Sequence, residues 1–439
     1  MATKSDLIEA QNFSRRRLLT AFVSGAPGGK ELEPAAPLRA VIAAIALTVA
    51  VVLVGLFAGL LRPGLPSGWD NGKLIVVTDT GARFVTVEGV LHPVVNTASA
   101  RLLLPASGFE VLTTDRGNLD GVRVGETLGI VGAPDELPPP DGIVNSGWSA
   151  CLTDDAGLDV RVGTGTPDVT DAAVVVEADG ERFVVAGERA FQVPERGGDA
   201  VLRAAGITAL DPVEVPAQWV NLFIAGTPLA PPTVRDAGEP LPGTDLRVGD
   251  VVHIRSTPED ERLLVQPDGT FAALTPLAWR LYQLGGDGAA EVVEVGAADV
   301  AGIPSAAADA GGADWPTAGF QPAPSGSAPC AVLDGAAGRT VLALRDGDER
   351  AAAGVRVAAG GGALVASGGR GEQRTGILTL IDETGTAYAL PGATEETVNR
   401  LGYTLDHVGA APQGWVALFR TGPVLTEEAA GRAPGTDEP

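Results

Sequence analysis

The chain has 439 residues, 31 Lys/Arg against 55 Asp/Glu and a formal net charge of −24. A surface this acidic repels phosphate backbones and excludes nucleic acid as a partner. With hydrophobic residues at 45%, the chain has ample material for real cores.

The first predicted element is a short helix over Ser5–Val23, basic around Arg15–Arg17 and partly amphipathic, followed by a Gly/Pro-rich joint at Ser24–Pro37. It reads either as a solvated leader that sets topology or as a contact helix for a cytoplasmic partner. Next comes an uncharged run of 22 residues, Ala40–Leu61, flanked by Arg39 and Arg62-Pro63. A helix of that length is about 33 Å long and crosses the hydrocarbon core of a bilayer. A secretory signal has a shorter apolar stretch and a small-residue cleavage site, neither of which fits here. Six Lys/Arg precede the span and only two, Arg62 and Lys73, fall in the twenty residues after it. The positive-inside bias therefore predicts a cytoplasmic head, residues 1–39, and an exported region beginning at residue 62. Small residues in the span (Ala43, Ala44, Ala46, Ala50, Gly55, Ala58, Gly59) suit close helix approach.

Beyond Arg62, 24 Lys/Arg stand against 51 Asp/Glu. Four cassettes there share one grammar: an apolar β-branched strand, an acidic-Gly turn, a second strand with an aromatic residue, and a short helix. They lie near residues 74–104 (Asp79-Thr80-Gly81, Phe84), 173–207 (Asp179-Gly180, Phe183), 262–285 (Asp268-Gly269, Phe271) and 379–403 (Glu383-Thr384-Gly385, Tyr388). The second and fourth share endings, Gln218-Trp219-Val220-Asn221-Leu222-Phe223 and Gly414-Trp415-Val416-Ala417-Leu418-Phe419. The first and third share Arg101-Leu102-Leu103 and Arg280-Leu281-Tyr282. The order predicts a duplicated, quasi-twofold region. Gly311–Pro329 reads as an exposed loop and residues 427–439 as a disordered acidic tail. The tryptophans Trp148, Trp219 and Trp415 read as packing residues.

The two cysteines, Cys151 and Cys330, both fall in the exported part. There a lone pair is most simply a structural disulfide, the alternative being a redox pair, which normally needs C-x-x-C spacing. His92, His253 and His407 follow no metal-ligand spacing, and no G-x-S-x-G or H-E-x-x-H occurs. The stretch nearest to a phosphate-binding loop, Gly25–Glu31, has the wrong glycine spacing and Glu31 where a hydroxyl belongs. The sequence therefore predicts no catalytic residue, no metal ligand and no cofactor.

Two blocks, Leu91-His92-Pro93-Val94-Val95-Asn96-Thr97-Ala98-Ser99-Ala100-Arg101-Leu102 and Gly129-Ile130-Val131-Gly132-Ala133-Pro134-Asp135-Glu136-Leu137-Pro138, together with Trp148-Ser149-Ala150-Cys151, resemble motifs of the EccB family. These are single-pass components of the type VII (ESX) secretion apparatus. The resemblance implies a structural subunit of the membrane core complex beside EccC, EccD and EccE partners, with EccC as the motor, and further copies of itself. It also implies an inner-membrane location and a β-rich α+β exported region, with four strand-turn-strand-helix repeats around a central β-rich domain braced by a disulfide. The competing readings are an exported ATPase or hydrolase with an unrecognised site and a cell-wall-binding anchor.

Overall fold

The computed structural model describes residues 3–24, 37–60, 65–207, 211–285, 291–346, 352–368 and 376–435. The chain divides into two units, Met1–Gly64 and Leu65–Pro439.

In the first unit, helix α1 (Lys4–Ser24) leaves Leu7, Ile8, Phe13, Leu18, Leu19 and Phe22 exposed. Helix α2 (Pro37–Leu60) begins with a proline, which fits a first helical turn because its missing N–H has no partner there in any case. Its 20-residue stretch Leu38–Phe57 has a mean hydropathy of 2.9 and is long and apolar enough to cross a membrane. The helix starts three residues earlier than the apolar run suggests. Residues 25–36, which include the Gly25–Glu31 stretch, lie outside the described residues.

Among the described residues the second unit holds five sheets. Strands β1 (Leu74–Val77), β2 (Arg83–Val87) and β3 (Val90–Pro93) form an antiparallel meander, followed by α3 (Thr97–Leu103). The chain then returns as β4 (Val111–Thr114), parallel to β1, and β5 (Arg123–Val124), parallel to β3. A hairpin of β6 (Trp148–Leu152) and β7 (Leu158–Val162) comes next, then the short β8 (Asp168–Val169). The meander, helix and parallel return recur in β9 (Ala173–Ala178), β10 (Glu181–Ala186), β11 (Arg189–Val193), α4 (Gly198–Ala204), β12 (Val213–Glu214), α5 (Ala217–Val220) and β13 (Ile224–Ala225). They recur again in β14 (Val251–Ile254), β15 (Arg262–Val265), β16 (Phe271–Leu274), α6 (Pro276–Tyr282) and β17 (Val292–Val295). There a single parallel bridge, Phe271 to Ser305, stands where the other sheets have a fifth strand. A second hairpin, β18 (Ala328–Asp334) and β19 (Arg339–Arg345), and then β20 (Gly354–Val357) lead to the last meander. That comprises β21 (Ala363–Gly368), β22 (Ile377–Ile381), β23 (Thr386–Leu390), α7 (Glu395–Leu401), β24 (Gly409–Pro412), α8 (Gln413–Val416) and β25 (Arg420–Thr421), with α9 (Glu427–Ala430) closing the described chain.

The turn chemistry explains these hairpins, but it does not number them. Asp179 and Gly180 both take positive φ (51° and 80°), the requirement of a two-residue hairpin turn, and join β9 to β10. Asp79-Thr80-Gly81 likewise joins the first two strands of its meander. Asp268-Gly269 and Glu383-Thr384-Gly385 instead join the second and third strands, β15 to β16 and β22 to β23. Cassettes framed on these turns are therefore offset by one strand between the first and second halves of the chain.

Two further expectations are corrected. Gly311–Pro329 is a loop only in part exposed: Phe320 and Ala323 are buried, the Ala173 N–H donates to the Gln321 carbonyl at 2.6 Å, and its last two residues open β18. The chain's end is ordered through α9, where the Thr426 hydroxyl caps the helix by accepting from the Ala429 N–H at 3.1 Å and Ala430 is fully buried. Residues 436–439 lie outside the described residues.

Candidate functional site

The six-stranded sheet lies between the two halves of the sequence, in the order β20-β7-β6-β18-β19-β8. Its centre is the antiparallel pairing of β6 with β18, which sets Cys151 directly opposite Cys330. The two are joined by a disulfide that links positions 179 residues apart, and both are fully buried.

Alternation along a strand sends successive side chains to opposite faces. On β6, Trp148, Ala150 and Leu152 take one face and Ser149 and Cys151 the other. The Trp148 face is the largest core of the molecule. Trp219 of α5 and Trp415 of α8 are fully buried in it with Trp148. Each indole N–H has a partner: Trp219 donates to the Ala150 carbonyl and Trp415 to the Thr340 hydroxyl, both at 2.9 Å, and Trp148 to the Val144 carbonyl at 2.7 Å. Trp148 also meets the edge of Trp415, with ring centroids 6.2 Å apart.

The opposite face carries the disulfide and, on β7, the carboxylate of Asp159, whose side chain is 0% exposed. Asp159 accepts from Arg345 of β19 at 2.8 Å, from Arg161 at 2.9 Å and from Arg356 of β20. One buried anion thus holds guanidinium groups from three strands, two of them from the far half of the chain. Nothing in the local sequence around Asp159 signals this, because Arg345 is 186 residues away.

Two sets of helices tie the outer sheets together. Helix α3 packs on α7 and α9 through Ala98, Leu102, Val398, Leu401 and Ala430. Helix α4 packs on α6 through Val201, Leu202, Leu277 and Leu281. Each contact sets an arginine on the last carbonyls of the facing helix: Arg400 donates to Leu102 at 2.8 Å and Arg280 to Ala204 at 2.6 Å. A cation there satisfies carbonyls that have no partner within the helix.

The two sequence blocks singled out above meet in space. Asn96 caps α3 by accepting from the Ser99 N–H at 2.9 Å, and it donates to the Ile130 carbonyl at 2.7 Å. The Ser99 hydroxyl accepts from the Ile130 N–H at 2.9 Å. Gly129, at φ +128°, leaves no room for a side chain, since a Cβ there would lie 2.6 Å from Val95 Cγ2.

The three histidines lie on separate elements. His92 faces the Glu126 carbonyl, His407 receives the Thr404 N–H, and His253 is paired with Glu294. Among the described residues no group of three or more His, Cys, Asp or Glu is arranged to hold a metal ion.

Taken together, these elements define a protein with one apolar N-terminal helix followed by a β-rich α+β region. The family model described as "Type VII secretion system ESX-1, transport TM domain B" matches residues 1–436, and the chain belongs to this EccB family. It is 29% identical over 248 residues to the ESX-2 secretion system ATPase EccB2 of Mycobacterium tuberculosis, covering 51% of this chain and 49% of that protein. It is 30% identical over 284 residues to the ESX-5 secretion system ATPase EccB5 of Mycobacterium marinum, covering 58% and 54%. The aligned part spans about half the length of these curated relatives. A chain of the intact ESX-5 inner membrane complex shares the fold with a TM-score of 0.63 at 22% identity, covering 100% of this chain and 97% of that one. The EccB3 dimer of the ESX-3 core complex gives 0.63 at 22%, covering 82% and 100%.

Proposed function

We propose that this protein is a structural subunit of a type VII secretion membrane core complex and contributes to assembly of the export channel. The observation that carries this reading is the family match over residues 1–436. Its partners are then subunits like EccC, EccD and EccE, together with further copies of itself. The ESX-5 inner membrane complex and the EccB3 dimer, both built on this fold, support that assignment. Residues 1–39 form a cytoplasmic head, 40–61 the membrane span and the remainder an exported region, in line with the excess of Lys/Arg before the span.

In this reading the exported region is a duplication. Four outer units, each a three-strand meander with a helix and one or two parallel return strands, surround the central sheet. The packing of α3 on α7 and of α4 on α6 is what a twofold relation between the halves produces. Cys151–Cys330 and Asp159 with its arginines are braces across that junction, with no chemical role.

The word ATPase in the relatives' names supplies a second reading, nucleotide hydrolysis. No stretch of the sequence matches G-x-x-x-x-G-K-[ST], and we assign the chain no catalytic residue and no cofactor.

Purification of the detergent-solubilised protein from its native membrane, with identification of what accompanies it, tests the first reading. Recovery of EccC-, EccD- and EccE-like subunits is expected, and recovery of the chain alone under mild detergent overturns it. ATP turnover by the purified chain that is abolished by a single substitution establishes the second.

A further inference from the structure

On β14, both ring nitrogens of His253 face oxygen acceptors. Nδ1 lies 3.0 Å from each carboxylate oxygen of Glu294 on the neighbouring strand β17. Nε2 lies 3.1 Å from the Pro258 carbonyl and 3.3 Å from the Thr257 carbonyl. A neutral imidazole has one N–H and one bare lone pair, so either neutral tautomer sets a lone pair against oxygen. Only the imidazolium donates in both directions. The two carbonyls belong to the segment 255–261 that joins β14 to β15. This segment is tied to β14 by the Thr257 N–H, which donates to the Ile254 carbonyl at 2.8 Å. Thr257, Asp260 and Glu261 form one wall of a cavity of about 330 Å³ whose other walls include Leu263, Pro276 and Thr317.

We propose that His253 is a proton-operated latch: protonated, it pins Thr257 and Pro258 to the sheet and shapes the cavity wall, and deprotonated, it loosens that wall while the bonds of Arg255 to Val295, Thr257 to Ile254 and Arg262 to Asp260 still hold the segment's ends. The proposal does not rest on the secretion role.

The charges around the ring fit this. From β17 comes Glu294, and the Arg255 guanidinium at the end of β14 donates to the backbone carbonyl of that residue, leaving its carboxylate to the histidine. From β15 comes Arg262, whose guanidinium lies over the Trp279 ring, 5.3 Å from its centroid. From α6, Arg280 is committed to the Ala204 and Ala318 carbonyls, and the Tyr282 hydroxyl donates to the Gly249 carbonyl. The segment's own Glu259, Asp260 and Glu261 are exposed to solvent.

The hydrogen bond to Glu294 raises the histidine's pKa above 6.5, against the opposing effect of burial. The sign follows. With its pKa raised in the closed state, the latch is fully closed below the open-state value and is lost as pH rises through the closed-state value.

Hydrogen–deuterium exchange on the full-length protein in detergent micelles, from pH 5.5 to 9 and corrected for intrinsic exchange, tests the latch at the Glu261 amide. Protection should fall about tenfold for each unit by which closure raises the ring's pKa, while the Leu263 and Leu264 amides of β15 stay unchanged. His253→Gln should abolish the pH dependence, and Glu294→Gln should move its midpoint to lower pH. A flat wild-type profile, or a wild-type profile retained in His253→Gln, overturns the proposal. Should His253→Gln fail to fold, an unmoved midpoint in Glu294→Gln overturns it equally.

Discussion

Asn96 donates from its side-chain nitrogen to the carbonyl of Ile130, 34 residues along the chain, at 2.7 Å. The same side chain caps α3, and Ser99 takes the Ile130 N–H, so one short polar cluster starts a helix and fixes the loop that follows the first sheet. With Asn96 only 4% exposed, its loss leaves the Ile130 carbonyl and the Ser99 N–H without their buried partner. Asn96→Ala should cost roughly 2–4 kcal/mol, a cap plus an unsatisfied buried group. Denaturant unfolding of the variant beside the wild type measures this, and a change below about 0.5 kcal/mol would sink the assignment.

Cys151→Ser or Cys330→Ser should destabilise the second unit, by at most about 5 kcal/mol in the chain-entropy model for a loop this long. Because neither sulfur is exposed, reductant should leave the disulfide of the folded protein intact over hours, whereas reductant present during unfolding should break it and lower the refolding yield. Identical melting of wild type and Cys151→Ser would remove the brace.

Asp159→Asn should be more damaging than any single arginine change around it. The substitution keeps the shape but leaves Arg345, 6% exposed, as an uncompensated buried cation, a loss on the order of 3–5 kcal/mol. Arg356→Ala removes a half-exposed partner and should cost less than about 1 kcal/mol. The reverse ranking in thermal melts would show that Asp159 is not the hub.

Acid should weaken the fold through carboxylates in turns and at a helix start. The Thr153 hydroxyl holds the Asp155 carboxyl below 3.8, the Thr270 hydroxyl does the same for Asp268, and Arg182 does so for Asp199. Carboxyls lowered in the folded state contribute stability that is fully present above the unfolded value and lost as pH falls through the folded one. Melting temperature should therefore hold from pH 6 to pH 5 and begin to fall below pH 4. Asp268→Asn should make the fall shallower, and an unaltered acid limb would show that the turn contributes nothing.

The apolar N-terminal helix, the short helices after each meander and the burial of Trp219 and Trp415 could be read directly, because each depends on residues close together in the chain. The hairpins could be read as hairpins. Their place in each meander could not, because Asp179-Gly180 and Asp268-Gly269 report only that a turn occurs, and a three-strand meander has two. Strand β21 was hidden among the glycines of Gly360–Gly371, and its parallel partner Gly409–Pro412 lies beyond any local window. The helix Glu427–Ala430 was obscured by acidic composition, although Thr426 before Glu427-Glu428 is an ordinary helix start. Asp159 with Arg345 had no local trace, since the pairing exists only once both hairpins have met.

The order of the central sheet also governs when this protein can finish folding. Strand β8 follows β7 in the chain but pairs with β19, and β20 follows β19 but pairs with β7. Each half thus lends an edge strand to the other. Until residue 345 has been made, β8 has no neighbour and Asp159 has no Arg345. Cys151 must likewise stay a thiol while 179 further residues arrive. A truncated first half would expose β6 as an unpaired apolar edge, so the two halves cannot be matured and quality-checked separately. The disulfide and the Asp159–Arg345 pair can form only once both hairpins are present.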